Sequence, residues 1–173
     1  MISAGHRGLC QDFEPATRDG FVTGEDMQLS KFTDYALRVL MHLATAEGHL
    51  LTTRQISEIH DTKFNHLSKV TQWLVREGFA ESVRGRNGGL RLAKPARDIN
   101  IGTIVRQLEN QQNLVECFQS NGGQCVLLAG CGLKAALHAA EKAFFEVLDQ
   151  KTLEDLTVNN RTLELVLKQL IEV

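Results

Sequence analysis

The chain has 173 residues, 43% of them hydrophobic, with 19 Lys plus Arg against 21 Asp plus Glu and a formal net charge of -2. This excludes a disordered chain and supports one domain with a real core. No run approaches the roughly 18 apolar residues of a membrane span, and the first 30 residues lack the basic start and apolar run of a secretory signal, so a cytoplasmic protein without membrane contact is expected.

Residues 1–26 show little apolar periodicity and are expected to form a poorly ordered tail that need not be native, since Met27 is a plausible start. From Ser30 the pattern turns helical, with Phe32, Ala36, Val39, Leu40, Leu43 and Ala44 at three- and four-residue spacing and Gly48 as the stop. Thr52 or Thr53 can cap a short second helix with Ile56 and Ile59 inward. A third helix is predicted from about Lys63 to Glu77, carrying Leu67, Val70 and Leu74, and Gly78 ends it as a left-handed residue would.

The period then changes to that of strands over 79–83 and 89–93, joined by a glycine-rich turn through Arg84, Gly85, Arg86, Asn87 and Gly88. A fourth helix is predicted from Ile101 to Glu109. Residues 110–132 are polar and contain three of the four cysteines. A long helix follows over 132–151, with Leu133, Leu137, Ala140, Phe144 and Val147 or Leu148 on one stripe. Such a stripe suits a helix–helix seam, either in a dimer or back on its own domain. A last amphipathic stretch runs from Thr162 to Ile171.

Three helices followed by a hairpin is the order of a winged helix-turn-helix. The expected fold is mainly α with a small β-hairpin (α+β). It divides into a tail (1–26), a winged-helix domain (27–108), a cysteine loop (109–131), a dimerisation helix (132–151) and a C-terminal segment (152–173). Charge follows the same division. Residues 63–94 carry a net +5, whereas 1–26 carry -3 and 109–173 carry -4. A local basic window can hold phosphates whatever the total charge. On the third helix Asn65, His66, Ser68, Lys69, Gln72 and Arg76 fall off the apolar stripe and are candidates to meet base edges. Arg84 and Arg86, set among glycines, suit a narrow minor groove. The expected partner is double-stranded DNA.

Cys117, Cys125 and Cys131 lie in one 15-residue segment, while Cys10 falls in the tail. Free cysteines more often hide in cores, and disulfides are disfavoured inside cells. A Gly-rich polar loop instead suits a metal site. The spacing lacks the close C-x2-C pairs of structural zinc and fits a bulkier iron–sulfur cluster. Zinc, redox thiols and inert cysteines remain the alternatives. No Cys–His–acid arrangement and no phosphate loop marks an enzyme.

Several stretches carry a resemblance: Leu29 to Arg38 in helix one, Ser82 to Ala93 in the wing, Cys131-Gly132-Leu133-Lys134, Leu137-His138, and Thr152 to Leu156. On these the chain resembles the iron–sulfur winged-helix regulators, and within them the nitric-oxide-sensitive repressors. The resemblance covers about Met27 to Thr157. It implies a homodimer whose operator binding is released when nitric oxide attacks a cluster, [4Fe-4S] rather than [2Fe-2S]. It also implies that Cys117, Cys125 and Cys131 are ligands, with Asp34 donated by the partner subunit as the fourth. Read without the resemblance, Asp34 is a first-turn acid favoured by the helix dipole. Two departures stand out. Seven residues separate Cys117 from Cys125 where five are common. Lys134 also stands where IscR-type members place a histidine, which disfavours the alternative of an IscR-like [2Fe-2S] regulator.

Overall fold

The computed structural model describes residues 29–46, 48–109, 115–118, 123–127, 130–157 and 165. The expected tail and, apart from Leu165, the stretch from Thr162 to Ile171 lie outside them. The elements are helices α1 (Lys31–Thr45), α2 (Thr53–Ile59) and α3 (Phe64–Arg76), strands β1 (Ala80–Val83) and β2 (Gly89–Leu92), then helices α4 (Ile101–Glu109), α5 (Gly132–Asp149) and α6 (Leu153–Thr157). Single 3-10 turns occur at Ala96–Asp98 and Glu116–Phe118. The mainly helical order with one hairpin is the expected one.

Local chemistry sets most of the boundaries. The Ser30 hydroxyl accepts the Thr33 N–H at 3.2 Å and starts α1. Thr52 and Gln55 form a reciprocal capping box that starts α2. Gly78, at φ +73°, ends α3 as its position predicted. The hairpin is antiparallel, with Ala80 opposite Leu92 and Val83 opposite Gly89. Its turn requires glycine at 88, because a side chain there would strike the Val83 carbonyl. Leu51 adds a rung that the sequence did not announce: the Leu90 N–H donates to the Leu51 carbonyl at 2.8 Å, and the Leu51 N–H donates back at 3.1 Å.

One core joins these parts. Ala36, Val39, Leu40 and Leu43 enter it from α1, Ile56 from α2, and Leu67, Val70 and Leu74 from α3. Leu51 and Leu90 close it beside the hairpin, and Ile99, Ile101, Ile104 and Val105 close it around α4. The short helix α6 was not anticipated. It returns the chain to this core, with Leu153 and Thr157 both fully buried.

The end of α5 docks on α4 through polar contacts. Both Arg106 guanidinium NH groups donate to the Asp149 carboxylate, and the same guanidinium lies 4.5 Å from the Phe145 ring centroid. The Asn100 amide donates to the Asp149 carbonyl at 2.6 Å. A side chain at position 102 would collide with the Asp149 carboxylate, so Gly102 lets the two helices approach. Phe144, Phe145 and Leu148 pack on the core. Of the predicted stripe, Leu133 is left 66% exposed and Leu137 half-buried, and no residue of α5 is fully buried.

Candidate functional site

Two surfaces carry the residues singled out from sequence. The first is the outer side of α3 with the hairpin tip. Burial of Leu67, Val70, Thr71 and Leu74 fixes which way α3 turns. Asn65, His66, Lys69 and Gln72 are consequently exposed, and Ser68 is half-buried. At the hairpin, Arg91 is paired with Glu81 across the strands. Arg84 and Arg86 are exposed and enter no ion pair among the described residues. They can therefore meet phosphates without first breaking a protein contact. This face also holds two exposed residues that pattern reading missed, Arg54 on α2 and Phe64 on α3. Phe64 continues the apolar stripe one turn beyond the core, so its spacing to Leu67 and Thr71 reads as burial.

The second surface is the cysteine segment. Cys117 lies in the turn Glu116–Phe118 and is half-buried, Cys125 is exposed, and Cys131 is the half-buried N-cap of α5. None of the three is in a disulfide. Gly123 at φ +65° and Gly130 at φ +92° turn the backbone on either side of Cys125. Within the single chain the three thiols share one segment but do not converge: among the described residues no three His, Cys, Asp or Glu side chains gather around one point. His138 on α5 lies against Phe118, the rings tilted by 37° with centroids 4.7 Å apart.

Asp34 stands in the first turn of α1 with its side chain 43% exposed, and it accepts the Arg38 Nε–H at 2.9 Å. The N-terminus of α1 is also held from behind. Glu109, the last residue of α4, accepts the Ser30 N–H at 2.9 Å and the Thr33 hydroxyl at 2.5 Å. The last residue of α4 is thus bonded to the turn that carries Asp34. On its other side α1 touches α3, where Phe32 meets Trp73 edge-on with centroids 6.3 Å apart. Trp73 in turn stacks on Phe79 at the root of the hairpin, 5.8 Å away.

A second link joins α1 to the C-cap of α2. His42 is fully buried, and its Nε2 lies 2.9 Å from Nε2 of His60. Burial, then the neighbouring His60, lowers the His42 pKa to about 4. Burial also lowers His60, helped by Arg38 and opposed by Asp34. Both rings are therefore neutral at pH 7. Nδ1 of His42 has no hydrogen-bond partner. An orphaned lone pair costs less than an orphaned N–H, so the assigned tautomer has His42 Nε2–H donating to His60.

Residues 29–159 match the Rrf2 family model, described as an iron-dependent transcriptional regulator. The HTH-type transcriptional regulator NsrR of Shouchella clausii (strain KSM-K16) is 44% identical over 143 residues, covering 82% of this chain and 96% of that protein. NsrR of Bacillus subtilis (strain 168) is 45% identical over 143 residues, covering 82% and 98%. Among solved structures, T. potens IscR superposes with a TM-score of 0.60 at 26% identity, covering 75% of this chain and 85% of that one. CymR, the global cysteine regulator of B. subtilis, gives a TM-score of 0.60 at 27% identity, covering 78% and 99%.

Proposed function

The chain belongs to the Rrf2 family of iron-dependent transcriptional regulators, and on that premise we propose that it is a homodimeric repressor that releases operator DNA when nitric oxide reaches an iron–sulfur cluster. Like its relatives it is a transcriptional regulator and not an enzyme. Among the described residues no helix is long and apolar enough to cross a membrane.

The donor set fits such a cluster. Three free thiols lie on a segment turned by glycines, and the side chain of Asp34 is 43% exposed. Cys117, Cys125 and Cys131 would be the thiolate ligands and Asp34 of the partner subunit the fourth, with [4Fe-4S] the form implied by the family resemblance. When bound, the cluster supplies iron that nitric oxide can attack, and a carboxylate oxygen is the weakest of the four ligands to a soft centre.

The remaining steps belong to the chain. Arg38, one turn along α1, holds the Asp34 carboxylate at 2.9 Å and would be its partner whenever Asp34 is not a ligand. Any shift of the cysteine segment acts on Glu109, and through Ser30 and Thr33 on the start of α1. From α1 the Phe32–Trp73 contact carries the displacement to α3, which presents Asn65, His66, Ser68, Lys69 and Gln72 to the major groove while Arg84 and Arg86 reach the minor groove. Paired reading heads must match two half-sites about one helical turn apart, so a small rotation of each is enough to lose affinity.

The observation that carries this reading is the double attachment of one helix turn: it bears Asp34, and it is clamped by Glu109, the last residue of α4. Anaerobically prepared protein should bind its operator and release it on titration with nitric oxide. Unchanged binding after complete reaction of the cluster would refute the reading. The visible spectrum, with iron and sulfide counts, distinguishes [4Fe-4S] from the [2Fe-2S] centre of an IscR-like regulator. Asp34→Ala should change the rate of the nitric oxide reaction, and an identical rate removes Asp34 from the ligand set.

A further inference from the structure

Arg54, on the first turn of α2, places its guanidinium 5.3 Å from the ring centroid of Phe64. Phe64 opens α3 and is 43% exposed, although it continues the stripe that buries Leu67 and Thr71. The pair therefore bridges the two helices of the helix-turn-helix at the end that enters the groove. Arg54 is exposed and has no ion-pair partner among the described residues. The ring restrains the guanidinium plane and leaves its N–H edge available.

Resting on the DNA-binding reading, we propose that Phe64 is a specificity-determining residue that packs on a thymine methyl in each half-site, while Arg54 clamps the phosphate beside it. The assignment follows the geometry of the motif. The first residues of the second helix meet base edges in the major groove, whereas the preceding helix crosses the backbone. Thymine alone presents an apolar C5-methyl in that groove, and an exposed phenyl ring is the matching surface. Arg54, on the crossing helix, meets phosphate, and its fork suits phosphate oxygens. The neighbours extend the same footprint: Lys63, Asn65 and Lys69 are exposed on the same or the following turn, and the first turn of α3 carries no acid that would repel the strand.

The test uses full-length protein prepared anaerobically and a pool of random duplexes. The parent should enrich a thymine at one fixed position of each half-site. Phe64→Leu should keep that preference and Phe64→Ser should lose it while retaining the rest of the motif. Replacing that thymine by deoxyuridine removes only the methyl and should weaken parent binding about fourfold per half-site, with no effect on Phe64→Ser. If parent and Phe64→Ser select one motif and respond alike to deoxyuridine, Phe64 merely packs the α2–α3 corner and the proposal falls. If the parent enriches no sequence at all, the DNA-binding reading fails and takes the proposal with it. Arg54→Gln should weaken all sequences by a similar factor and reduce the salt slope by about one per chain. An unchanged slope would refute the phosphate clamp.

Discussion

Helix α1 buries seven of its fifteen residues, whereas α5 buries none of its eighteen, although the two sequences are about equally apolar. In the winged-helix head, the core positions of α1, α2 and α3 are buried against residues of the same chain. The α5 arm meets the head's core over its last turns, where Phe144, Phe145 and Leu148 rest on it. Leu133 and Val147 stay more than half exposed. Equal hydrophobicity with unequal burial sets the two regions apart: among the described residues, α5 carries apolar surface at Leu133 and Val147 that nothing covers. That surface is what the proposed second subunit would cover.

Leu74→Ala, in the centre of the head, should cost about 2–5 kcal/mol, read by chemical denaturation. Acid comes next. Because the folded state holds His42 near pKa 4 and the unfolded state near 6.5, the unfolded chain binds more protons between these values. Stability is then full above pH 6.5 and falls as the pH drops toward 4. About 2 kcal/mol should be lost between pH 7.5 and 5. A variant lacking the pair, such as His42→Phe, should show a flatter profile.

Gly102→Ala should detach the arm by forcing Asp149 off α4, at about 1–2 kcal/mol. Hydrogen exchange would then rise in α5 before it rises in α1 or α3, and a uniform rise would mean that head and arm are one unit. Glu109→Ala should cost about 1 kcal/mol through the hydrogen bonds to Ser30 and Thr33. It should also blunt the effect of nitric oxide on DNA release, and an unaltered dose response would show that the clamp carries no signal. The smallest effect on folding is expected for Leu133→Ala, below about 0.5 kcal/mol. Sedimentation should nevertheless show a weaker dimer, and an unchanged dimer would place the subunit contact elsewhere.

The head was legible because its period is strong. Leu67, Val70 and Leu74 on α3 and Gly78 as a stop each have one physical reading, and of the two candidate caps Thr52 and Thr53 the helix uses Thr52. The features that escaped are non-local or miniature. Helix α6 spans five residues, too few to show a period. Arg106 and Asp149 meet across 43 positions. His42 occupies a stripe position between Val39 and Ala46, yet nothing local says that its partner is His60. The site divides in the same way. Three cysteines in one segment announce themselves, but Asp34 reads as a first-turn acid favoured by the helix dipole, and only the family resemblance marks it. Phe64 was hidden by its own regularity, since spacing cannot tell the last buried turn from the first exposed one.

The Phe32–Trp73–Phe79 stack also has an optical consequence. Trp73 is the only tryptophan in the chain, so ultraviolet emission has a single dominant source, at the junction of α1, α3 and the hairpin. A tilt of α1 changes the ring edge facing the indole, and with it the intensity and wavelength of that emission. The molecule therefore carries its own fluorophore at the joint where the proposed signal must pass, and stopped-flow fluorescence can time that passage without an attached dye.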